Sequence, residues 1–139
     1  MATYPQRMHT ALDTTDARGL AEFYRELLGL RYRDGDEPPA DGTTDDADWL
    51  VLVDDAGHRQ LAIAQVDELP AATWPEPGVP KQMHLDYAVQ SVDELHHHRQ
   101  RAEALGATLL LDRTSEDSEP LYVLADPAGH PFCLLVGVV

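Results

Sequence analysis

Apolar side chains recur at helical spacing over residues 17–28 and again over 95–105, with shorter apolar runs on either side of each stretch. Asp16 predicts an N-cap before the first stretch, and Gly29 is typical of the residue that ends a helix. The segment 91–94, Ser-Val-Asp-Glu, has the pattern of a capping box before the second stretch. The chain is therefore predicted to contain two helices, each set among short strands.

The order of these elements occurs twice, which indicates a duplicated unit. Residues 51–58 and 123–130 share the pattern V-L-x-D-x-A-G-H at a spacing of 72, and an apolar run that completes a hairpin follows each copy. Met-His pairs at 8–9 and 83–84 begin matching short strands at a spacing of 75. Each half reads strand, helix and three further strands. The sequence thus predicts an α+β fold of two tandem βαβββ modules.

The two modules are expected over about 7–66 and 82–138, with a linker of four prolines over 67–81. A single four-stranded module leaves one face of its sheet uncovered. We therefore expect one domain over 1–139, in which the modules form a curved mixed sheet around a cleft and the helices lie outside. The segment 34–48 is acidic and rich in Gly and Pro, and it predicts a solvated, mobile loop between strands.

The chain has 139 residues, and its 10 basic and 25 acidic residues give a formal net charge of −15. Nucleic acid and anionic membrane surfaces are not expected partners, because both are bound through Lys and Arg. The acidity favours a cationic small-molecule ligand. Cys133 is the only cysteine, which excludes an internal disulfide. No apolar stretch approaches the roughly 20 residues of a membrane span, and no signal-peptide core is visible, so we expect a cytoplasmic protein.

Three features together resemble one known superfamily. They are the segment A-E-F-Y-R-E-L-L-G over 21–29, the two hairpins, and D-P-A-G-H-P-F over 126–132. In combination they are similar to the vicinal-oxygen-chelate superfamily, which includes glyoxalase I, extradiol dioxygenases, fosfomycin-resistance enzymes and bleomycin-resistance proteins. The resemblance implies a glyoxalase-like domain. It leaves the activity open, because the superfamily contains both enzymes and plain binders.

The resemblance also implies a divalent metal held by one residue on the first strand and one on the last strand of each half. His9 and His84 occupy the first-strand positions. On the last strands, where the family usually has Glu, this chain has Cys133 and, by the repeat, Leu61. Two alternatives follow. Either His9 and His84 bind a metal with Cys133 or Asp86 as third ligand, with Zn²⁺, Fe²⁺, Mn²⁺ or Ni²⁺ as candidates, or the pocket holds no metal.

Strand alternation predicts which side chains share a face with His9 and His84. The set is mostly apolar with a few polar groups, which suits a small-molecule pocket. Its members are Ala11, Leu61, Ile63, Gln65, Asp86, Cys133 and Leu135. Asp86 follows His84 by two residues, about 6.6 Å along a strand at ~3.3 Å per residue, and this spacing favours contact with a ligand over metal coordination.

Most of the other residues that could carry chemistry are expected to have a structural role. Cys133 lies in an apolar strand and is expected to act as a small hydrophobe, not as a nucleophile. Three consecutive histidines at 96–98 cannot face one ion on a helix, because neighbouring residues point about 100° apart, so they are read as surface residues. His58 and His130 belong to the repeated turns. Candidate aromatic residues for the pocket are Trp49, Trp74, Tyr87 and Tyr122.

We therefore expect a protein that binds a small organic molecule, either sequestering it as bleomycin-resistance proteins do or converting it without a metal. His9, His84 and Asp86 would make the polar contacts, with Leu61, Ile63, Cys133 and Leu135 as the apolar wall. The alternative is a metal-dependent lyase, isomerase or dioxygenase with His9 and His84 as ligands and Asp86 as the catalytic general base. A third class is a domain that only dimerises, and a homodimer is expected in any case.

Overall fold

The architecture was analysed in a computed structural model that describes residues 3–116 and 118–139. The chain divides into two compact units between Glu68 and Leu69, which we call module one and module two. Each module contains one helix and a four-stranded sheet in which one strand pair is parallel and the others are antiparallel. The predicted α+β fold of two tandem βαβββ modules is confirmed.

The elements of the two modules follow the same order. Module one contains β1 (Thr10–Thr14), α1 (Ala17–Leu28), β2 (Arg31–Tyr32), β3 (Trp49–Val53) and β4 (Arg59–Gln65). Module two contains β5 (Leu85–Val89), α2 (Val92–Ala104), β6 (Thr108–Asp112), β7 (Leu121–Ala125) and β8 (Pro131–Val136). The sheet orders are β1-β4-β3-β2 and β5-β8-β7-β6, with β1 parallel to β4 and β5 parallel to β8. Neither helix in the described part of the chain is long and apolar enough to cross a membrane.

Both helices begin, and α1 also ends, where the capping residues predict. The Asp16 carboxylate accepts a hydrogen bond from the Gly19 N–H at 3.0 Å, and Gly29 ends α1 in the left-handed conformation at φ 66°. At the start of α2, the Ser91 hydroxyl accepts a hydrogen bond from the Glu94 N–H at 3.1 Å. These local bonds fix where each helix starts, and the apolar face of α1 then packs on β3 and β4.

The repeated hairpin turns have a common backbone mechanism. In each turn one carboxylate oxygen, from Asp54 or Asp126, accepts hydrogen bonds from the N–H groups two and four residues ahead, at 2.9 to 3.1 Å. The glycine of each turn has a positive φ, 85° at Gly57 and 94° at Gly129, a conformation that other residues rarely adopt. Turn geometry thus explains the Asp and the Gly of the repeated motif, to which His58 and His130 contribute a backbone N–H.

The two modules differ by one residue at the start of their last strands. In module one Val53 pairs with Arg59 and Leu52 pairs with Leu61, so Gln60 is an extra residue that forms a β-bulge. In module two the corresponding pairs run from β7 to β8 without an interruption. A shift of one residue turns every later side chain of a strand to the other face of the sheet.

This bulge corrects the sequence alignment of the two halves. Cys133 pairs with Asp86 across β5 and β8, whereas in module one it is Ala62 that pairs with Ala11. The counterpart of Cys133 is therefore Ala62, and its assignment to Leu61 is wrong. Counterparts on the last strands are 71 residues apart, although the turns before them are 72 apart.

The same bulge corrects the predicted face of three residues. Leu61, Ile63 and Gln65 pair with Thr10, Leu12 and Thr14, so the prediction that they share a face with Ala11 is wrong. Leu61 and Ile63 are almost fully buried, at 4% and 0% exposure, and belong to the packed interior of module one.

The acidic loop 34–48 is tied to the rest of module one. The Arg18 guanidinium lies 2.6 Å from a carboxylate oxygen of Asp45 and also donates a hydrogen bond to the Asp36 carbonyl. The Asp36 side chain in turn accepts a hydrogen bond from the Val51 N–H at 2.9 Å. This loop is thus anchored at two points, which its composition did not predict.

Candidate functional site

Three possible metal-ligating side chains meet on one face of the module-two sheet. Atoms of His84, Asp86 and Cys133 that could each ligate a metal all lie within 4.8 Å of one another. Asp86 and Cys133 are direct partners on the parallel strands β5 and β8, so their side chains point to the same face. His84 immediately precedes β5, two residues before Asp86, and alternation places it on that face as well.

The distance between His84 and Asp86 corrects one argument from the sequence. His84 Nε2 lies 3.4 Å from Asp86 Oδ1, although the two residues are about 6.6 Å apart along an extended strand. The strand spacing describes the backbone, whereas these side chains lean toward each other. Spacing is therefore no objection to Asp86 as a partner of His84 at a common ligand.

The Cys133 thiol is held in its protonated form. Burial raises its pKa to about 11, and the hydrogen bond to Asp86 together with the charge of that carboxylate acts in the same direction, while Lys81 opposes them. A reactive thiolate needs a lowered pKa. These surroundings support the expectation that Cys133 is not a nucleophile.

A cavity of about 170 Å³, which we call the module-two cavity, lies beside this group. Its polar lining residues are Lys81, His84, Arg113 and Cys133. Its apolar lining residues are Trp74, Leu111, Leu121, Val123 and Pro131. The cavity therefore combines an apolar sheet face with a few polar groups at its edge, which is typical of ligand pockets.

The segment before β5 supplies Trp74 and Lys81 to this cavity. The Thr73 hydroxyl accepts a hydrogen bond from the Val79 N–H at 2.8 Å and lies 3.0 Å from the Pro77 carbonyl oxygen, so the segment closes into a compact loop. Lys81 Nζ then lies 4.1 Å from the centre of the Trp74 ring, a cation–π contact. The loop thus presents an aromatic face and a positive charge side by side.

Several predicted site residues lie outside this cavity. His9 precedes β1, and its ring packs edge-on against Trp49 with the ring centres 5.8 Å apart. Its Nδ1 atom is buried and has no hydrogen-bond partner among the described residues. The group of three donor atoms contains no residue of module one, so a metal shared by His9 and His84 stays a prediction. Leu135 pairs with Leu121 on the cavity face but does not line the cavity.

Most of the aromatic candidates and the three consecutive histidines also lie outside the module-two cavity. Of the four aromatic candidates, Trp74 alone lines the module-two cavity. Tyr122 is buried, and its hydroxyl lies 2.7 Å from His96 Nδ1 on α2. His96 and His97 are exposed and His98 is half-buried, which agrees with their interpretation as surface residues.

Sequence reasoning missed Lys81 and Arg113. Lys81 is the only lysine of the chain, and Arg113 directly follows β6. A lone lysine in an acidic chain is a signal that could have been noticed. Its position next to Trp74 could not, because an irregular proline-rich segment sets that position.

The donor set at His84 suits a divalent metal such as Zn²⁺, which accepts imidazole, carboxylate and thiolate ligands. Ligands of one tetrahedral ion lie roughly 3.5 Å apart at ordinary metal–ligand distances. The 3.4 Å between His84 and Asp86 matches this value, and small side-chain movements would bring Cys133 to it. The residues present therefore fit a metal, provided that the Cys133 thiol loses its proton.

Comparison with known proteins gives a single family. The family model described as a glyoxalase-like domain matches residues 9–135. A search of curated proteins found no match. Many solved structures match as well. Their sequence identity to this chain is low, 15–20% for the three structures that follow, so they show the fold alone.

Three of these structures illustrate the likeness. A possible glyoxalase from Bacillus cereus is 17% identical with a TM-score of 0.62, covering 92% of this chain and 96% of that one. A glyoxalase/bleomycin resistance protein/dioxygenase family enzyme from Burkholderia phytofirmans is 15% identical with a TM-score of 0.67, covering 94% and 98%. A mutant of the fosfomycin resistance protein FosX from Listeria monocytogenes, complexed with Mn(II) and 1S,2S-dihydroxypropylphosphonic acid, is 20% identical with a TM-score of 0.69, covering 99% and 95%.

Proposed function

Because the chain belongs to the glyoxalase-like domain family, we propose that it binds a small organic molecule in the module-two cavity. The observation that carries this proposal is the cavity itself, with its apolar walls and four polar groups. Its volume of about 170 Å³ is similar to that of an engineered ~150 Å³ protein cavity that takes up benzene. A ligand with one six-membered ring and a polar substituent therefore fits.

The roles of individual residues follow from where they lie. His84 and Asp86 would bind polar atoms of the ligand, since their side chains face each other at 3.4 Å on the cavity side of β5. The neutral thiol of Cys133 would contact the ligand beside the apolar side chains of Leu121 and Val123. This arrangement serves either sequestration of the ligand or its conversion without a metal, with Asp86 as the general base.

A metal-dependent lyase, isomerase or dioxygenase is the second candidate. The observation that favours it is the convergence of His84, Asp86 and Cys133, three residues that would hold the ion. A divalent ion bound there would act as a Lewis acid toward an oxygen atom of the ligand. In that case Asp86 would be a ligand, and the Cys133 proton would leave on metal binding.

Metal analysis separates the two candidates. Untagged protein is reconstituted with Zn²⁺, Mn²⁺, Fe²⁺ or Ni²⁺ and desalted, and its metal content is measured beside that of His84→Ala and His97→Ala. His97 is exposed on α2 and is the matched control. A stoichiometric metal that is lost only from His84→Ala would replace the first candidate with the second.

A ligand screen by thermal shift then tests the first candidate. We expect a ring-containing ligand to raise the melting temperature of the wild-type chain and of His97→Ala. The shift should shrink in Val123→Trp, because the larger side chain fills the cavity. The absence of any ligand that raises the melting temperature, together with the absence of retained metal, would contradict both candidates.

A homodimer remains part of the proposal. Light scattering in solution checks it directly, with twice the mass of one chain as the expected result and the mass of one chain as the result against it.

A further inference from the structure

The charged side chains that line the module-two cavity are positive, although the chain as a whole is acidic. The chain carries 25 acidic and 10 basic residues, yet the described residues that line the cavity include Lys81 and Arg113 and no carboxylate. Module two has four Lys and Arg residues in all, so half of them lie at this one cavity. Such a local excess of cations favours a ligand of opposite charge.

Neither cation is neutralised by a carboxylate within the described ranges. Lys81 contacts the ring of Trp74, and no ion pair involves Lys81 or Arg113 among residues 3–116 and 118–139. In contrast, the Arg99 guanidinium on α2 pairs with Glu103. Within the part of the chain that the structure describes, Lys81 and Arg113 thus have no carboxylate partner, and a charge-assisted hydrogen bond to a ligand is among the stronger contacts that a protein offers.

Two carboxylates lie near the cavity and limit where an anion can bind. Asp86 is engaged with His84 at 3.4 Å and faces Cys133, and Glu119 acts on the Cys133 thiol from a distance. Both would repel an anion placed on the Cys133 side. A negative group is therefore favoured where it contacts Lys81 or Arg113 and lies away from the carboxylate of Asp86.

We propose that the ligand of the module-two cavity is an organic anion whose carboxylate, phosphonate or phosphate group binds Lys81 and Arg113. Its apolar body lies against Trp74, Leu121 and Val123. This inference rests on the proposed function and specifies its ligand class. It replaces the cationic ligand expected from the net charge, because exposed charges farther away than about 8 Å are screened at physiological ionic strength, whereas the cavity charges touch the ligand.

The test uses four probes that share one ring and differ in charge: phenylphosphonate, benzoate, benzamide and benzylammonium. Binding is followed by Trp74 fluorescence in a Trp49→Phe background, so that one tryptophan reports. Reductive methylation with ¹³C-formaldehyde labels Lys81 and the N-terminal amine alone, and the NMR shift of the Lys81 signal gives a second readout.

We expect the two anions to bind at least tenfold more tightly than benzamide, benzylammonium not to bind, and the anion affinity to fall with added salt. Lys81→Met and Arg113→Gln should each weaken the anions roughly tenfold and leave benzamide unchanged. Arg99→Gln is the control, because it removes a cation of module two that does not line the cavity. Circular dichroism melts of each variant establish that it is folded.

Three results would overturn the inference in different ways. If benzamide or benzylammonium binds as tightly as the anions, the ligand class is wrong and the proposed function stands. If the anions bind but Lys81→Met and Arg113→Gln do not weaken them, the assignment of these residues is wrong. If none of the four probes binds but the thermal-shift screen finds an uncharged ligand of the cavity, the inference fails and the proposed function stands, whereas the absence of any ligand in both experiments contradicts both.

Discussion

On the last strand of module two, Cys133 stands beside Asp86, whereas the paired positions of module one are Ala62 and Ala11. The two modules share the same element order and the same parallel pair, and β4 differs from β8 by the bulge at Gln60. The repeated sequence motif belongs to the turn, where one carboxylate binds two N–H groups in each copy. The comparison teaches that the turn residues and the histidine before the first strand are common to both modules, whereas the pair of Asp86 and Cys133 occurs in module two alone.

The largest expected effect comes from deletions that break or repair the register of β4. Deleting Gln60 removes only the bulged residue and leaves Leu52 paired with Leu61, as in module two, so we expect a folded protein less stable by about 1–2 kcal/mol. Deleting Ala62 turns Ile63 and the residues after it to the other face, and it should cost the whole stability of the module. Urea unfolding measures both variants. An equally folded Ala62 deletion would show that the register is not fixed as described.

The next largest loss of stability is expected from substitutions of the two turn glycines. Alanine is strained by about 1–2 kcal/mol at a positive φ, so Gly57→Ala and Gly129→Ala should both destabilise the protein. A Cβ at Gly129 would also lie 2.4 Å from the Cβ of Ala71, whereas the nearest atom to one at Gly57 is the flexible end of Arg31, 4.0 Å away. We therefore expect Gly129→Ala to lose at least 1 kcal/mol more in free energy of unfolding.

Chemical denaturation of the two glycine variants side by side gives this difference. A third variant, Gly129→Ala combined with Ala71→Gly, sharpens the comparison by relieving the contact. Equal losses in the two single variants would show that the segment around Ala71 does not pack on the turn.

A smaller effect concerns the Cys133 thiol. Its raised pKa, about 11, means that alkylation by iodoacetamide should be slow at neutral pH and increase with pH as the thiolate forms. Asp86→Asn removes a charge and a hydrogen bond that raise the pKa, so the pH profile should move to lower pH. Burial, the largest cause, persists, and the profile should stay above that of an exposed thiol. A profile for the wild-type protein like that of free cysteine would contradict this account.

The smallest effect is expected at the acidic loop of module one. Arg18→Gln removes the ion pair to Asp45 and the bond to the Asp36 carbonyl, both near the surface, so the melting temperature should hardly change. Limited proteolysis within 34–48 should nevertheless become faster, because the loop loses an anchor. Arg7→Gln is the control, since Arg7 is exposed in the segment before β1. Equal cleavage of both variants and the wild-type chain would show that Arg18 does not hold the loop.

Much of the fold could be predicted from local patterns in the sequence. The helices begin directly after Asp16 and Ser91, because those side chains accept hydrogen bonds from N–H groups of the first helical turn. The repeat predicts two modules, because both turns require the same residues. Alternation on β5 likewise places His84 and Asp86 on one face. Each of these predictions depends on contacts between residues that are close in sequence.

The remaining features depend on contacts between residues that are distant in sequence, which local patterns do not reveal. The bulge at Gln60 lies just after the turn motif, whose two copies keep a constant spacing, so only strand pairing reveals that Leu61 faces the interior. Lys81 lies in the segment before β5, and Arg113 directly follows β6. Their meeting at one cavity depends on tertiary packing, which neither periodicity nor net charge encodes.

The position of the only lysine has a practical consequence at the bench. Amine-reactive dyes, cross-linkers and sensor surfaces can attach to this chain only through its N-terminus or through Lys81, which lines the module-two cavity. A preparation coupled through its amines would thus contain molecules that are attached at the proposed binding site itself. Immobilisation through an added terminal tag avoids this attachment, and a weaker ligand signal on amine-coupled than on tag-coupled surfaces would support the proposed site.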